Sequence, residues 1–376
     1  MNFSLTDTQQ SVRDTFKKFV DEKVIPVADQ IDDKGEFPRE LFMEVGKLGF
    51  FGMRYPEEAG GSGMDIISYC LAVIELARGS MSLAAACSMQ SLMATYFLYR
   101  FGDEEILRDY FALALDGSKL GSICMTEPDA GSDLNNIKTL AKVYDDHFIL
   151  NGQKTWITQA PAADFFSVLS RTDNHDKHSF FLVPTHFPGV RVGKNIEKMG
   201  VRASITSEVF FDEVRLPRNY LLGEIGGGTK MLLEILAEIR IMTAALAIGV
   251  AQAAFDDAVE YAKIRVQFGQ PIGKFQAIKI KVADMAVQLE TAKHMLFHAA
   301  WLCDENKPRQ KEAAIAKLYA SECANEICDQ ASRILASYSY AMEYPMQRYL
   351  RDARFTLFGG GTNEILKINI AREYGL

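Results

Sequence analysis

Residues 148–158 read Phe-Ile-Leu-Asn-Gly-Gln-Lys-Thr-Trp-Ile-Thr, and at this point the texture of the chain changes. Branched and aromatic residues flank Asn151-Gly152, a pair that favours a tight turn between two strands, so a β-hairpin is expected here. Downstream, short apolar runs at 165–169, 179–183, 190–192 and 208–211 are set apart by Asn, Asp, Pro and Gly, which predicts a compact β-subdomain. Upstream, from Ser4 to about Gly117, the apolar period is helical: Phe16, Phe19 and Val20 share a face, and Pro26 and Pro38 punctuate the run. After Gly226-Gly227-Gly228 the helical period returns, and runs at 229–264, 276–306 and 311–341 predict antiparallel helices of a bundle. Helix, strand and helix in that order predict an α+β fold and exclude an alternating βαβ sheet.

The chain has 376 residues, 48% of them apolar, enough for two or three subdomains around a large core. A formal charge of −8 with no basic block argues against a nucleic-acid partner. Residues 1–14 carry Asp7 and Asp14 and no apolar signal core, so no targeting segment is expected. The uncharged stretch 241–255 is shorter than the roughly 20 residues that cross a bilayer, so no membrane span is expected. The apolar segment 71–101 reads as helix packed on nearly all sides. Six scattered cysteines without a C-x-x-C fit a reducing, cytoplasmic setting.

Neither Gly226–Gly228 nor Gly359–Gly361 has the spacing of a dinucleotide or triphosphate loop. The six histidines lack the partners of a zinc site, and no G-x-S-x-G elbow is present. What remains is Thr126-Glu127-Pro128-Asp129-Ala130-Gly131-Ser132-Asp133, a turn-forming run with small hydroxyl residues and free backbone N–H groups. Together with Trp156, an aromatic plate, and Thr158, a hydroxyl, it suits a flat heteroaromatic ligand.

These blocks, with Arg265-Val266-Gln267-Phe268-Gly269, Gln276, Arg351-Asp352-Ala353-Arg354 and Gly360-Gly361-Thr362-Asn363-Glu364, resemble the acyl-CoA dehydrogenase family in order and spacing across essentially the whole chain. The resemblance implies an N-terminal helical domain (1–119), a middle β-barrel-like domain (120–225) and a C-terminal four-helix bundle (226–376). It implies FAD as cofactor, in a homotetramer or dimer of dimers. Met125, Thr126, Gly131, Ser132, Trp156 and Thr158 would hold the flavin ring and ribityl chain, and Thr362 and Glu364 would complete that site. Arg265, Gln267, Phe268 and Gln276 would reach FAD from a neighbouring subunit, where a guanidinium suits a pyrophosphate. Substrate contacts would come from Ala85, Ala86, Met89, Ser91, Ser132, Arg240 and Gly359. An electron-transferring flavoprotein is the expected redox partner.

The chain also departs from the family pattern. Members place a catalytic glutamate either just before the last Gly-Thr, here Gly360, or just before the arginine that matches Arg240, here Ile239. A positioned base is worth about 10² to 10⁴ in rate, so the base is expected to be displaced, atypical or supplied by the substrate. Glu238, one residue away, is the candidate for a displaced base. The backbone N–H of Gly360 would still polarise the thioester carbonyl. Ala237 stands where members recognise the CoA arm, which leaves an acyl carrier protein open as carrier. Arg333 and Ala336-Ser337-Tyr338-Ser339 replace the usual FAD cradle. Ala84 stands where glutaryl-type members carry an arginine, which argues against dicarboxylic substrates. Three functions remain open: an FAD-dependent dehydrogenase or reductase acting on the CH–CH bond α,β to an acyl thioester, a redox-neutral flavin-bound lyase, and a non-catalytic thioester-binding module.

Overall fold

The computed structural model describes residues 4–173 and 175–376. Helices fill Asp7–Leu115, a sheet occupies Gly121–Leu222, and long helices run from Gly228 to Arg372. The first helix, Asp7–Phe19, begins in a reciprocal cap: the Thr6 hydroxyl accepts from Gln9 N, and the Gln9 side chain accepts from Thr6 N. Its apolar face, Val12, Phe16 and Phe19, is buried, in line with the period of the sequence.

Residues 81–101 are long and apolar enough, by length and composition alone, to cross a membrane. Residues 79–99 in fact carry no charge, a longer stretch than 241–255. In the fold 89% of that segment's most apolar window lies inside the protein, interrupted by a π-helical turn at Met89–Ala94, so it is a core helix. Gln90 within it is buried and ties the helices to the sheet, donating to Ala114 O and Lys119 O and accepting from Gly121 N.

The sheet has eight strands: β1 Gly121–Cys124, β2 Leu140–Val143, β3 His147–Thr158, β4 Phe165–Thr172, β5 His175–Pro184, β6 Val190–Asn195, β7 Thr206–Pro217 and β8 Leu221–Leu222. Their order is β6-β7-β3-β2-β4-β5-β8, with β1 parallel to β4. The expected hairpin at Asn151-Gly152 is not a turn. The pair lies inside the continuous strand β3, at a register shift against β7. Asn151 exchanges hydrogen bonds with Glu213, its Nδ2 donating to Oε1 at 2.7 Å and its Oδ1 accepting from Glu213 N at 2.9 Å. A side chain on Gly152 would strike Thr139 of the neighbouring loop, so this glycine serves a bulge and close packing instead of chain reversal.

The long helix Gly228–Ile264 is the spine of the second helical block, packed on Gln310–Leu335 and on Ile66–Gly79 of the first. The approach is close: a Cβ on Gly249 would collide with the Ile74 carbonyl and with Ala77. Gln276–Asp304 and Gln310–Leu335 complete the bundle. The last of these stops at Leu335, short of the expected 341, because Ala336 turns to φ +53° and a 3₁₀ segment follows. All six cysteines are buried thiols.

Candidate active site

Two hydrogen bonds tie β1 and the loop 125–133 that follows it to the end of β3. Thr155 N donates to Thr126 O at 2.9 Å, and Ser122 Oγ donates to Thr158 O at 2.5 Å. Beneath them Lys154, fully buried, donates to Met125 O at 3.0 Å and to Glu127 Oε1 at 2.8 Å. Glu127 also accepts from Lys138 N and Thr139 N. Burial opposes its charge, but the Lys154 ammonium and these N–H groups together hold the Glu127 carboxyl below the usual range. The loop carrying Met125, Thr126, Gly131 and Ser132 is therefore locked to β3 by a buried ion pair, which the sequence did not reveal.

Trp156 bulges out of β3 with φ +59° and leaves 58% of its surface exposed, a costly posture for a large aromatic unless something covers it. Gln159, at φ +65°, is fully buried with neither side-chain polar atom paired. A Cβ on Gly131 would meet only Thr126 Cγ2, at 3.8 Å, so the loop is open on that side. Gly131 and Ser132 are exposed, and Thr158 is half-buried. An uncovered indole, an open polar loop and an orphaned amide suit a flat cofactor with hydrogen-bonding edges.

The glycine run Gly359–Gly361 lies against the long helix. Gly360 has φ +69°, and a Cβ built on it would stand 2.9 Å from Thr243 Oγ1 and 3.8 Å from Ile239 Cγ2. The two sequence-distant positions, 360 and 239, thus face one space. Thr243 Oγ1 donates to Ile239 O at 2.8 Å. Thr362 caps the helix Asn363–Arg372 with its hydroxyl, and Glu364 is exposed in that helix's first turn. Lys317, fully buried, anchors the run from behind, donating to Gly361 O and Asn363 Oδ1, each at 2.8 Å, and to Leu357 O at 3.4 Å. Burial, helped by the Arg240 charge, draws its pKa down to about 8.

Arg240 and Glu238 lie on opposite flanks of Ile239, each about 100° around the helix. Arg240 is 5% exposed, its Nε has no hydrogen-bond partner, and it forms no ion pair among the described residues. Glu238 is held instead: its carboxylate pairs with Arg54 and lies 3.9 Å from Arg309. The displaced-base expectation meets this obstacle, since a carboxylate committed to a guanidinium must break that pair to take a proton. Arg54 stands over the Tyr69 ring, and Tyr69 OH bonds Ser91 Oγ at 2.8 Å. Ser91 therefore has its hydroxyl engaged in the core, beside buried Ala85 and Ala86 and half-buried Met89. Gly359 sits over the Phe355 ring.

The remaining expected residues lie apart from this centre. Arg265, Gln267 and Phe268 form the hairpin of β9, Val266–Gln267, and β10, Gln270–Pro271. Phe268 is 93% exposed at φ +52°, and Val266 and Ile264 are exposed beside it. Gln276 is exposed at the start of its helix, and Arg333 is exposed and paired with Asp329. Among the described residues no group of three His, Cys, Asp or Glu side chains is placed to hold a metal ion. Sequence reasoning missed Lys317, Lys154, Glu127 and Arg54, because each takes its role from a partner distant in sequence.

Three domain families match along the chain: acyl-CoA dehydrogenase N-terminal domain over residues 6–118, middle domain over 122–214 and C-terminal domain over 226–375. The chain is 56% identical over 374 residues to benzylmalonyl-CoA dehydrogenase of Aromatoleum aromaticum, covering 99% of each. It is 40% identical to the mitochondrial short-chain specific acyl-CoA dehydrogenase of Bos taurus, covering 98% of this chain and 90% of that protein. Its fold matches the structure of butyryl-CoA dehydrogenase from Megasphaera elsdenii with a TM-score of 0.97, 38% identity and full coverage of both chains. With its glycine run, its β3 loop and its three matched domains, the chain belongs to the acyl-CoA dehydrogenase family.

Proposed function

We propose that this protein is an FAD-dependent acyl-CoA dehydrogenase that oxidises the bond α,β to a thioester without a protein carboxylate at the α-carbon. The observation that carries this reading is the convergence of Gly360 and Ile239 on one space that contains no acid from either position. Trp156, the 125–133 loop, Thr158, Thr362 and Glu364 would hold FAD, which when bound accepts hydride from the β-carbon. Gly360 N–H would accept the growing negative charge of the thioester oxygen. The electron pair that a base would otherwise release can come from the substrate. A thioester carrying a carboxylate on its α-carbon, as in the benzylmalonyl group for which a 56% identical relative is named, loses CO₂. The broken C–C bond leaves its pair on the α-carbon and no proton need be removed. This carboxylate is not distal, so the absence of an arginine at Ala84 does not weigh against it. CoA is the carrier favoured by the names of the relatives.

The exposed hairpin at Arg265–Phe268 and Gln276 would reach the FAD of a neighbouring copy in a tetramer or dimer of dimers, with Arg333 at the same interface. An electron-transferring flavoprotein is the proposed electron acceptor. The test is anaerobic addition of an α-carboxylated acyl-CoA, following flavin colour and CO₂ together. Bleaching with one CO₂ per flavin is expected, and the uncarboxylated analogue should react far more slowly. Bleaching without CO₂ overturns the reading, and CO₂ with a flavin that stays oxidised turns it into the lyase.

A further inference from the structure

Three consecutive glycines make the loosest backbone a chain can build, because each loses more conformational freedom on folding than any other residue. Gly359, Gly360 and Gly361 form such a run, yet its middle N–H is the donor assigned to the thioester oxygen, a task that needs a fixed direction. Gly360 and Gly361 stand at φ +69° and +97°, and among the described residues neither N–H finds a backbone acceptor. The run has no side chains of its own to wedge it in place. It is held by carbonyl oxygens, and one side chain takes them from both ends. Lys317 Nζ donates to Leu357 O, before the run, at 3.4 Å and to Gly361 O, at its end, at 2.8 Å, so it straddles Gly360. Its third contact, Asn363 Oδ1 at 2.8 Å, is itself fixed: Ser321 Oγ donates to that oxygen at 3.1 Å, and Asn363 Nδ2 donates to Glu322 Oε1 at 2.9 Å.

A neutral side chain could satisfy some of these oxygens. A fully buried ammonium is the expensive choice, since its charge is taken out of water. That cost is recovered where negative charge develops beside it, as it does on a thioester oxygen when electrons reach the α-carbon. We infer that Lys317 is the positioning residue of the carbonyl-polarising site: its ammonium clamps both ends of the glycine run so that Gly360 N–H meets the thioester oxygen, and its charge favours the negative charge gathering there. This rests on the proposed placement of the thioester before Gly360 and not on the release of CO₂. Three charged groups act on the ammonium: Arg240 from the long helix, Glu364 from the last helix and Glu322 on its own helix. Carboxylates and guanidinium groups do not ordinarily change charge between about pH 7 and 9, so the ammonium is the member of this group that titrates there.

The test is isotope-edited infrared spectroscopy of acetyl-CoA, carrying heavy carbon at the thioester carbonyl, bound to the flavin-loaded protein. Acetyl-CoA has no β-carbon, so the carbonyl is read without turnover. The native protein should move the carbonyl stretch to lower frequency, and Lys317→Met should return it close to the value of free acetyl-CoA. Raising the pH of the native protein through about 8 should return part of the shift as the ammonium loses its charge, a measurement that needs no variant. With an α-carboxylated acyl-CoA, Lys317→Met should bleach the flavin about 10² to 10³ times more slowly while thioester affinity changes little. A full shift that survives in a yellow Lys317→Met protein overturns the inference. Should that variant fail to hold FAD, a native carbonyl frequency that stays flat from about pH 7 to 9 overturns it. A native protein that leaves the carbonyl unshifted removes the thioester site itself, and the inference with it. A native protein that shifts the carbonyl but never bleaches refutes the oxidation and leaves the Lys317 clamp standing.

Discussion

Returning a carboxylate to the empty space should convert the protein toward an ordinary dehydrogenase, and Ile239→Glu is the substitution the geometry favours. Gly360→Glu is the poorer route. Its backbone sits at φ +69°, where a side chain costs about 1–2 kcal/mol, and its Cβ would press on Thr243 Oγ1 at 2.9 Å, an oxygen already committed to Ile239 O. Position 239 is regular helix, and its Cγ2 lies 3.8 Å from the point where a Gly360 Cβ would stand, so a glutamate there reaches the same space without backbone strain. Ile239 is 3% exposed. Its loss forfeits about 1.5–3 kcal/mol of burial, and the new charge must be desolvated. Against that, a positioned base is worth about 10² to 10⁴ in rate. The assay is anaerobic stopped-flow bleaching of the flavin by an uncarboxylated acyl-CoA, with Ile239→Gln as the isosteric control. The expected result is acceleration by about two to four orders of magnitude in the glutamate variant alone. If a folded, yellow Ile239→Glu protein bleaches no faster than the native one, the space before Gly360 does not face the α-carbon, and the proposed substrate-driven reaction is refuted.

Glu238→Gln should leave bleaching by an α-carboxylated substrate intact while lowering stability by about 3 kcal/mol, because Arg54, with 11% of its side chain exposed, loses its counter-charge. Urea unfolding and stopped-flow on one preparation decide this, and abolished bleaching would make Glu238 the base after all. The Asp352 carboxyl is buried and accepts from Val201 N at 2.6 Å, and burial raises its pKa from 3.8 to about 6. Between those values the unfolded chain gives up its proton while the folded one keeps it, so this group's contribution is intact below 3.8 and is lost as pH rises through about 6. With about 1.4 kcal/mol per tenfold change in ionisation, the native protein should lose about 3 kcal/mol relative to Asp352→Asn across that range. Parallel unfolding profiles for the two proteins would exclude it.

The order of helix, sheet and helix was legible because each block has a sustained apolar period, and the loop 126–133 stood out by its own turn residues. What stayed hidden depends on distant partners. Asn151-Gly152 carries a turn signal that is overridden by Glu213, sixty-two positions away, whose backbone and side chain occupy the amide. Strands β1 and β2 are four residues each, and both pair with β4, so neither has enough local pattern to be seen. Lys317 looks like any lysine of an amphipathic helix until the glycine run folds over it. Glu238 drew attention by adjacency to position 239, but helical rotation and Arg54 decide where its carboxylate points.

The protruding hairpin with Phe268 at its tip has a consequence for mixtures of damaged chains. On the proposed assembly a lesion at Phe268 harms the neighbour's pocket, while one at Trp156 harms its own. Two inactive proteins, each carrying one of these lesions, would form some sites that contain neither when refolded together, so yellow colour and turnover would return to a blend of two colourless parents.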